Sequence, residues 1–183
     1  MEDKELLKKN QNLNQYLEFE KLLNKFFRQV NYCHAYCITQ KDSKIGEGVD
    51  GNLGCCYLNY YRHDETDKSS CDFDLLIKKR AQKYGLPADK EKSIGKNKNA
   101  CRYHTNKGCI LKDYKSPLCI SFICRPFKVY LIEKYDIYYN FQEIMDVLEN
   151  ILSGRINKEE MKEFKERIKA YTEIIVKTKK PDF

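Results

Sequence analysis

The N-terminal part of the chain, from Lys4 to Val30, carries apolar residues at intervals of three, four and seven, with no proline or glycine between them. This spacing places them on one face of an α-helix, because a helix turns once in about 3.6 residues. The pattern predicts one amphipathic helix that faces a core, although a helix that binds a partner shows the same pattern. The face comprises Leu6, Leu13, Tyr16, Phe19, Leu23, Phe26 and Val30.

The C-terminal part of the chain predicts further helices. Residues 127–137 are apolar and aromatic, which fits a helix or a strand, and we prefer a short helix. Asn140 and Glu143 form a capping-box pattern that opens a helix ending at Gly154. Asn157–Glu160 repeats this pattern before a last helix, and 177–183 is predicted to fray. These helices should form a hairpin that covers the cysteine-rich centre of the chain.

The centre of the chain alternates loops with one short helix. Residues 39–54 are polar and glycine-rich, which predicts a loop. A helix is predicted from Cys71 to Tyr84, with Ser70 or Asp72 as its cap and Gly85 and Pro87 at its end, followed by a polar connector over 88–99. We predict a mainly α fold, in which helices surround an irregular cysteine-rich metal-binding core. The single domain would comprise an N-terminal helix (1–31), a cysteine-cluster core (32–126), C-terminal helices (127–176) and a frayed tail (177–183).

The composition points to a reducing compartment. The N-terminal residues are charged where a secretory signal needs an apolar segment, and no window approaches the roughly 18 apolar residues of a membrane span. The nine cysteines are an odd number, which leaves one thiol over in any full pairing. We therefore predict a cytoplasmic protein with no membrane association, in which the cysteines bind metal or act in catalysis.

Eight cysteines form the predicted metal site. Thiolate sulfur is the soft ligand that zinc and iron–sulfur clusters favour, and these cysteines lie on short segments punctuated by Gly108 and Pro117. His104 is an alternative ligand for a Cys₃His site, and Cys71 stands apart and is left out. The predicted ligands are Cys33, Cys37, Cys55, Cys56, Cys101, Cys109, Cys119 and Cys124, and the predicted cofactor is zinc, iron or an iron–sulfur cluster.

Three of these segments resemble a known family. Cys33 with Cys37, the Gly54-Cys-Cys doublet and the block from Cys101 to Pro126 are similar to the CxxCxxCC zinc/iron-chelating cysteine-cluster family, often called YkgJ-like. The block contains Gly108-Cys109-Ile-Leu and Cys124-Arg-Pro. The resemblance implies metal chelation, assigned to zinc or iron, and some relatives are lysine methylases to which an iron–sulfur cluster is attributed.

Three functions fit these patterns. The first is a metalloprotein that binds zinc or iron through thiolates. The second is an iron–sulfur enzyme of redox or group-transfer chemistry, although no nucleotide-binding or hydrolase motif accompanies the cysteines. The third is a zinc-stabilised adaptor that binds protein or nucleic acid through the stretch 78–115, which holds twelve Lys or Arg and three acids in a chain of net charge +7. Those cations are equally suited to balance the charge of thiolate ligands.

Overall fold

The computed structural model describes residues 2–38, 73–85, 101, 103–105 and 108–179. These residues are mainly α-helical, as the sequence predicts. The predictions for 39–54, Pro87 and 88–99 lie outside the described residues. In chain order the elements are α1 (Glu2–Val30), a π-helical turn (Cys33–Ile38), α2 (Asp74–Tyr84), β1 (His104–Thr105), β2 (Gly108–Cys109), α3 (Pro117–Ser121), α4 (Arg125–Tyr135), α5 (Phe141–Leu152) and α6 (Lys158–Lys179).

Helix α1 packs mainly against α5 and α6, and through further contacts against α2 and α3. Its predicted apolar face is buried from Leu13 to Val30. The prediction for Leu6 is wrong, because this side chain is 53% exposed. Asn12 Nδ2 donates a hydrogen bond to the carbonyl of Leu152, the last residue of α5, at 3.2 Å. The turns of α1 that precede Asn12 therefore extend beyond the end of α5 and have less surface to pack against.

Aromatic side chains fill the middle of the helical core. The Phe26 ring stacks on Tyr139 with 5.6 Å between centroids and 9° between planes, and Phe19 packs on Phe164 at 5.3 Å. The Tyr139 hydroxyl donates to the carbonyl of Ser121 at 2.9 Å, which satisfies the polar end of a fully buried ring. Each buried phenylalanine stabilises the fold by about 1.5–3 kcal/mol, so these rings contribute much of the free energy that holds the core together.

The two predicted capping boxes differ in the structure. At the start of α6, Asn157 Oδ1 accepts from the Glu160 N–H at 2.9 Å, and Glu160 Oε2 accepts from the Asn157 N–H at 3.1 Å. At the start of α5, Asn140 Oδ1 accepts from the Glu143 N–H at 3.4 Å. The Glu143 carboxylate pairs instead with Arg167 of α6 at 2.7 Å. Both helices thus start as predicted. The cap of α6 has both bonds of the capping box, and the cap of α5 has only the bond to the Asn140 side chain.

Other boundaries refine the sequence predictions. The short helix preferred for 127–137 is confirmed as α4. Helix α2 starts at Asp74 with Phe73 in the cap position and no capping side chain, and the predicted caps at positions 70 and 72 lie outside the described residues. Gly85 ends α2 at a φ of 78°, as predicted. Helix α6 continues to Lys179, so the prediction that fraying begins at 177 is wrong. The assignment of the whole chain to one domain stays a prediction.

None of the helices in the described ranges has the length and apolar character needed to cross a lipid bilayer.

Candidate metal-binding site

Two predicted ligands lie together beside the main core. Cys101 is 6% exposed and forms a small buried group with Tyr103 and Leu111. Tyr84 from α2 and Cys119 from α3 pack against this group, and we call these five residues the cysteine cluster. Cys101 is buried in this group, whereas Cys119 is only partly buried. Segments that are separate in sequence thus contribute two soft donors to the cluster.

A short β-hairpin carries a third cysteine next to this cluster. Its strands pair antiparallel, with His104 opposite Cys109, and the Ile110 N–H donates to the Tyr103 carbonyl at 2.8 Å. The sequence did not predict strands here, because two-residue strands are too short to show an alternating pattern. Since Tyr103 belongs to the cysteine cluster, the hairpin holds the backbone of Cys109 close to it.

The environment of Cys109 favours the neutral thiol. Although the residue as a whole is exposed, desolvation by the surrounding protein raises the pKa of its thiol. The positive charge of Lys115 opposes this shift, and the carboxyl of Glu20 adds to it. A bound metal ion would reverse the balance, because a coordinating thiol loses its proton to the metal's charge.

The loop between the hairpin and α3 is fixed to α1 by Glu20. This fully buried carboxyl accepts the N–H of Tyr114 at 2.8 Å on Oε2 and the N–H of Lys115 at 3.0 Å on Oε1. Lys115 Nζ lies 3.9 Å from Oε1. Burial raises the pKa of Glu20 to about 7, against the lowering effect of Lys115 and of the two N–H groups. Tyr114 has a positive φ of 59°, so this turn needs such fixed partners.

Helix α1 makes three further hydrogen bonds to the same loop, through Tyr16 and Asn24. The Tyr16 hydroxyl donates to the Lys115 carbonyl at 2.6 Å. Asn24 Nδ2 donates to the Lys112 carbonyl at 3.1 Å, and Asn24 Oδ1 accepts from Lys115 Nζ at 2.7 Å. The loop therefore follows the surface of α1 over more than two turns.

Helix α2 holds the other side of this loop. The Tyr84 hydroxyl accepts the N–H groups of Lys112 at 3.1 Å and Asp113 at 3.3 Å, and it donates to Asp113 Oδ1 at 2.6 Å. Lys83 pairs with the second carboxylate oxygen of Asp113. Because α1 and α2 clamp the loop between them, the segments that carry Cys109 and Cys119 have defined positions.

Two other predicted ligands lie outside the cysteine cluster. Cys124 occupies the N-cap position of α4 and packs against the main core, and Cys33 is exposed on the π-helical turn. Tyr32 stacks on Phe127 with 4.6 Å between centroids and 7° between planes. This contact places the π-helical turn beside the first turn of α4, so the two segments lie on the same side of the molecule.

The remaining predicted ligands lie wholly or partly outside the described residues. Cys55 and Cys56 lie outside the described residues, as do Cys71 and the side chains of Cys37 and His104. Within the part of the chain that the structure describes, no group of three or more His, Cys, Asp or Glu side chains is arranged to hold a metal ion. The structure therefore places Cys119 against the buried group that contains Cys101, and the full set of eight ligands stays a prediction.

The sequence patterns did not identify the residues that position the site. Glu20 follows Tyr16 by four residues and precedes Leu23 by three, so a carboxyl lies on the apolar face of α1. A charge on a buried face is a signal that the sequence alone offers. Tyr84 and Lys115 gave no such signal, because their roles depend on contacts with distant segments.

Part of the basic stretch 78–115 serves internal contacts. Arg80 is only 1% exposed, Lys83 pairs with Asp113, and Lys115 contacts Glu20 and Asn24. These cations are used to hold the loop or to fill the core, which leaves fewer of them for an external anion.

Comparisons with protein-family models, with curated proteins and with solved structures found no match to this chain. The resemblance to the cysteine-cluster family stays a prediction that rests on the motifs quoted above.

Proposed function

We propose that this protein is a cysteine-cluster metalloprotein that binds zinc or iron through thiolates. The observation that carries the proposal is the packing of Cys119 against the buried group that contains Cys101, beside the hairpin that bears Cys109. Thiolates are the donors that zinc and iron–sulfur clusters select, and limited access of water favours their bonds to metal. The family resemblance supports the same chemistry.

Three cysteines leave a tetrahedral site one ligand short. Zinc in structural sites has four protein ligands, and iron–sulfur clusters are commonly held by four thiolates. The Cys55–Cys56 doublet supplies the candidates for the fourth position. The separation of Cys124 from the cysteine cluster favours a second group, in which Cys124 and the Cys33 segment act together.

The clamped loop supports this proposal, because a metal site needs ligands that are held in place before binding. Residues 111–116 connect Cys109 to the helix of Cys119, and both α1 and α2 hydrogen-bond to them. The charge of Lys115 favours the thiolate form of Cys109 and offsets some of the negative charge that several thiolates bring to one metal.

Metal analysis and an absorption spectrum of the anaerobically purified protein test the proposal. Stoichiometric zinc in a colourless protein identifies a zinc site, and iron with broad visible absorbance identifies a cluster. X-ray absorption at the metal edge should find sulfur ligands, at about 2.3 Å for zinc.

Single alanine variants assign the ligands. Cys109→Ala and Cys119→Ala should each lose metal, because thiolate ligands are lost from the site. Cys71→Ala is the matched control and should keep its full metal content. Loss of only part of the metal in Cys124→Ala would indicate a second site. Equal metal content in the control and in the variants at 109 and 119 would refute the proposal.

A further inference from the structure

An open groove of about 570 Å³ lies where α4 and α5 both begin. Its volume is in the range of sites that bind small organic molecules. Cys124, which we assign to the second group of ligands, is part of its lining, but Cys101, Cys109 and Cys119 are not, so the groove is separate from the cysteine cluster. Most of the lining is apolar and consists of Phe122, Ile123, Val129, Ile132, Tyr139 and Phe141.

The apolar lining has a fixed floor and an accessible wall. Ile123 and Tyr139 are buried and belong to the main core, so the floor is held by the fold itself. The rings of Phe122 and Phe141 meet edge to face at 5.3 Å between centroids. Val129 is 42% exposed and therefore offers apolar surface that a ligand could cover.

The charged residues that line the groove, among those that the structure describes, are cationic. Arg125 and Lys128 are both exposed and both line the groove, and no Asp or Glu of the described ranges lies in its lining. Helix α4 begins at Arg125 and α5 begins at Phe141, so two helix N-termini meet the groove. Each N-terminus carries a partial positive charge, which adds to the field of the two side chains.

We propose that this groove binds a small amphiphilic anion, in which a carboxylate or phosphate group is attached to a short aliphatic or aromatic body. The head group would pair with Arg125, whose planar fork matches either anion, and with Lys128. The apolar body would cover Val129 and the Phe122–Phe141 wall. A simple inorganic anion would leave that wall in water, and a neutral apolar molecule would leave both cations without a partner.

Amide chemical shifts in an NMR titration test this proposal on the protein as purified. The probes are sodium octanoate, octyl phosphate, octanol and sodium acetate, each below its aggregation limit. Both amphiphilic anions should cause saturable shifts at Val129 and Ile132, and octanol and acetate should bind at least about tenfold more weakly. The stronger of the two anions identifies the head group. The proposal is overturned if neither anion gives saturable shifts, or if octanol or acetate binds as tightly as octanoate.

A charge-matched pair of double variants separates the groove from general attraction of anions. Arg125→Gln with Lys128→Gln should weaken binding of the preferred anion by about tenfold or more. The control combines Lys162→Gln with Lys169→Gln, two exposed cations on α6, and changes the net charge equally. It should keep the original affinity. Equal weakening in both double variants would overturn the proposal, and the NMR spectra themselves show whether each variant is folded.

Discussion

The buried carboxyl of Glu20 allows the sharpest test of how the cysteine-bearing loop is held. Replacement of Glu20 by Gln keeps the shape of the side chain and one carbonyl acceptor. The carboxyl accepts hydrogen bonds from the backbone N–H groups of Tyr114 and Lys115. In the variant, the NH₂ group faces one of these two donors and cannot accept a bond from it. The variant therefore loses one hydrogen bond and can never ionise.

The pH dependence of stability follows from the raised pKa of Glu20. Its pKa rises from 4.5 to about 7, chiefly through burial. Because the folded state holds the proton more tightly than the unfolded state, the stabilising contribution is complete below a pH of about 4.5 and is lost as the pH rises through about 7. Each pKa unit corresponds to about 1.4 kcal/mol, so the free energy of unfolding should fall by about 3 kcal/mol over this range.

The Gln variant should lack this part of the pH dependence. At pH 5 we expect it to be less stable than the parent by about 1–3 kcal/mol, because a buried N–H loses its acceptor. Above pH 8 the parent bears the cost of a buried charge, so the gap should close or reverse. The difference between the two proteins should therefore change by about 3 kcal/mol across the range.

Urea unfolding followed by circular dichroism from pH 5 to pH 9 measures this difference, first with a chelator present and then with metal. Glu18→Gln is the matched control, because Glu18 lies on the exposed side of α1 and pairs with Lys165 at 2.8 Å. We expect that control to stay within about 1 kcal/mol of the parent at every pH. A constant difference between Glu20→Gln and the parent would show that the carboxyl is already ionised at pH 5 and would refute the reasoning.

Two further substitutions test the contacts of loop 111–116 and the contact between α1 and the end of α5. Tyr84→Phe should lower the free energy of unfolding by about 1–3 kcal/mol, because the hydroxyl satisfies two backbone N–H groups and the carboxylate of Asp113. Gly154→Ala should lower the free energy of unfolding in urea by about 1–3 kcal/mol, because this glycine has a positive φ of 66°. A Cβ at Gly154 would also lie 2.8 Å from Asn12 Nδ2 and disturb its bond to the end of α5. A Gly154→Ala variant as stable as the parent would refute this account.

Much of the helical frame could be predicted from the sequence, because helices depend on local periodicity and local caps. The apolar face of α1, the starts of α5 and α6 and the capping box at Asn157 all follow from residues within a few turns of each other. The exposed Leu6 could not be predicted, since periodicity shows which face is apolar but not where the partner helix ends.

The candidate site could be predicted only as a set of ligand types. Cysteine spacing indicates metal chemistry, but it does not show that Cys101 and Cys119 share a cluster while Cys124 packs on the main core. That division depends on residues 111–116, which lie between α1 and α2 in space. Glu20 and Tyr84, both far away in sequence, hydrogen-bond to this loop. Such long-range polar contacts leave no periodic pattern.

The separation of the two apolar clusters bears on what a metal would do for this protein. The main core draws buried residues from all six described helices, and its size favours stability without ligation energy. In the described part of the chain the cysteine cluster has three buried members, Cys101, Tyr103 and Leu111, and the loop that follows Leu111 is held by polar bonds from α1 and α2. Energy from metal–thiolate bonds would therefore act mostly on this small cluster, whose own packing is weakest. A metal here would order the segment that binds it, while the helical frame would keep its fold without it.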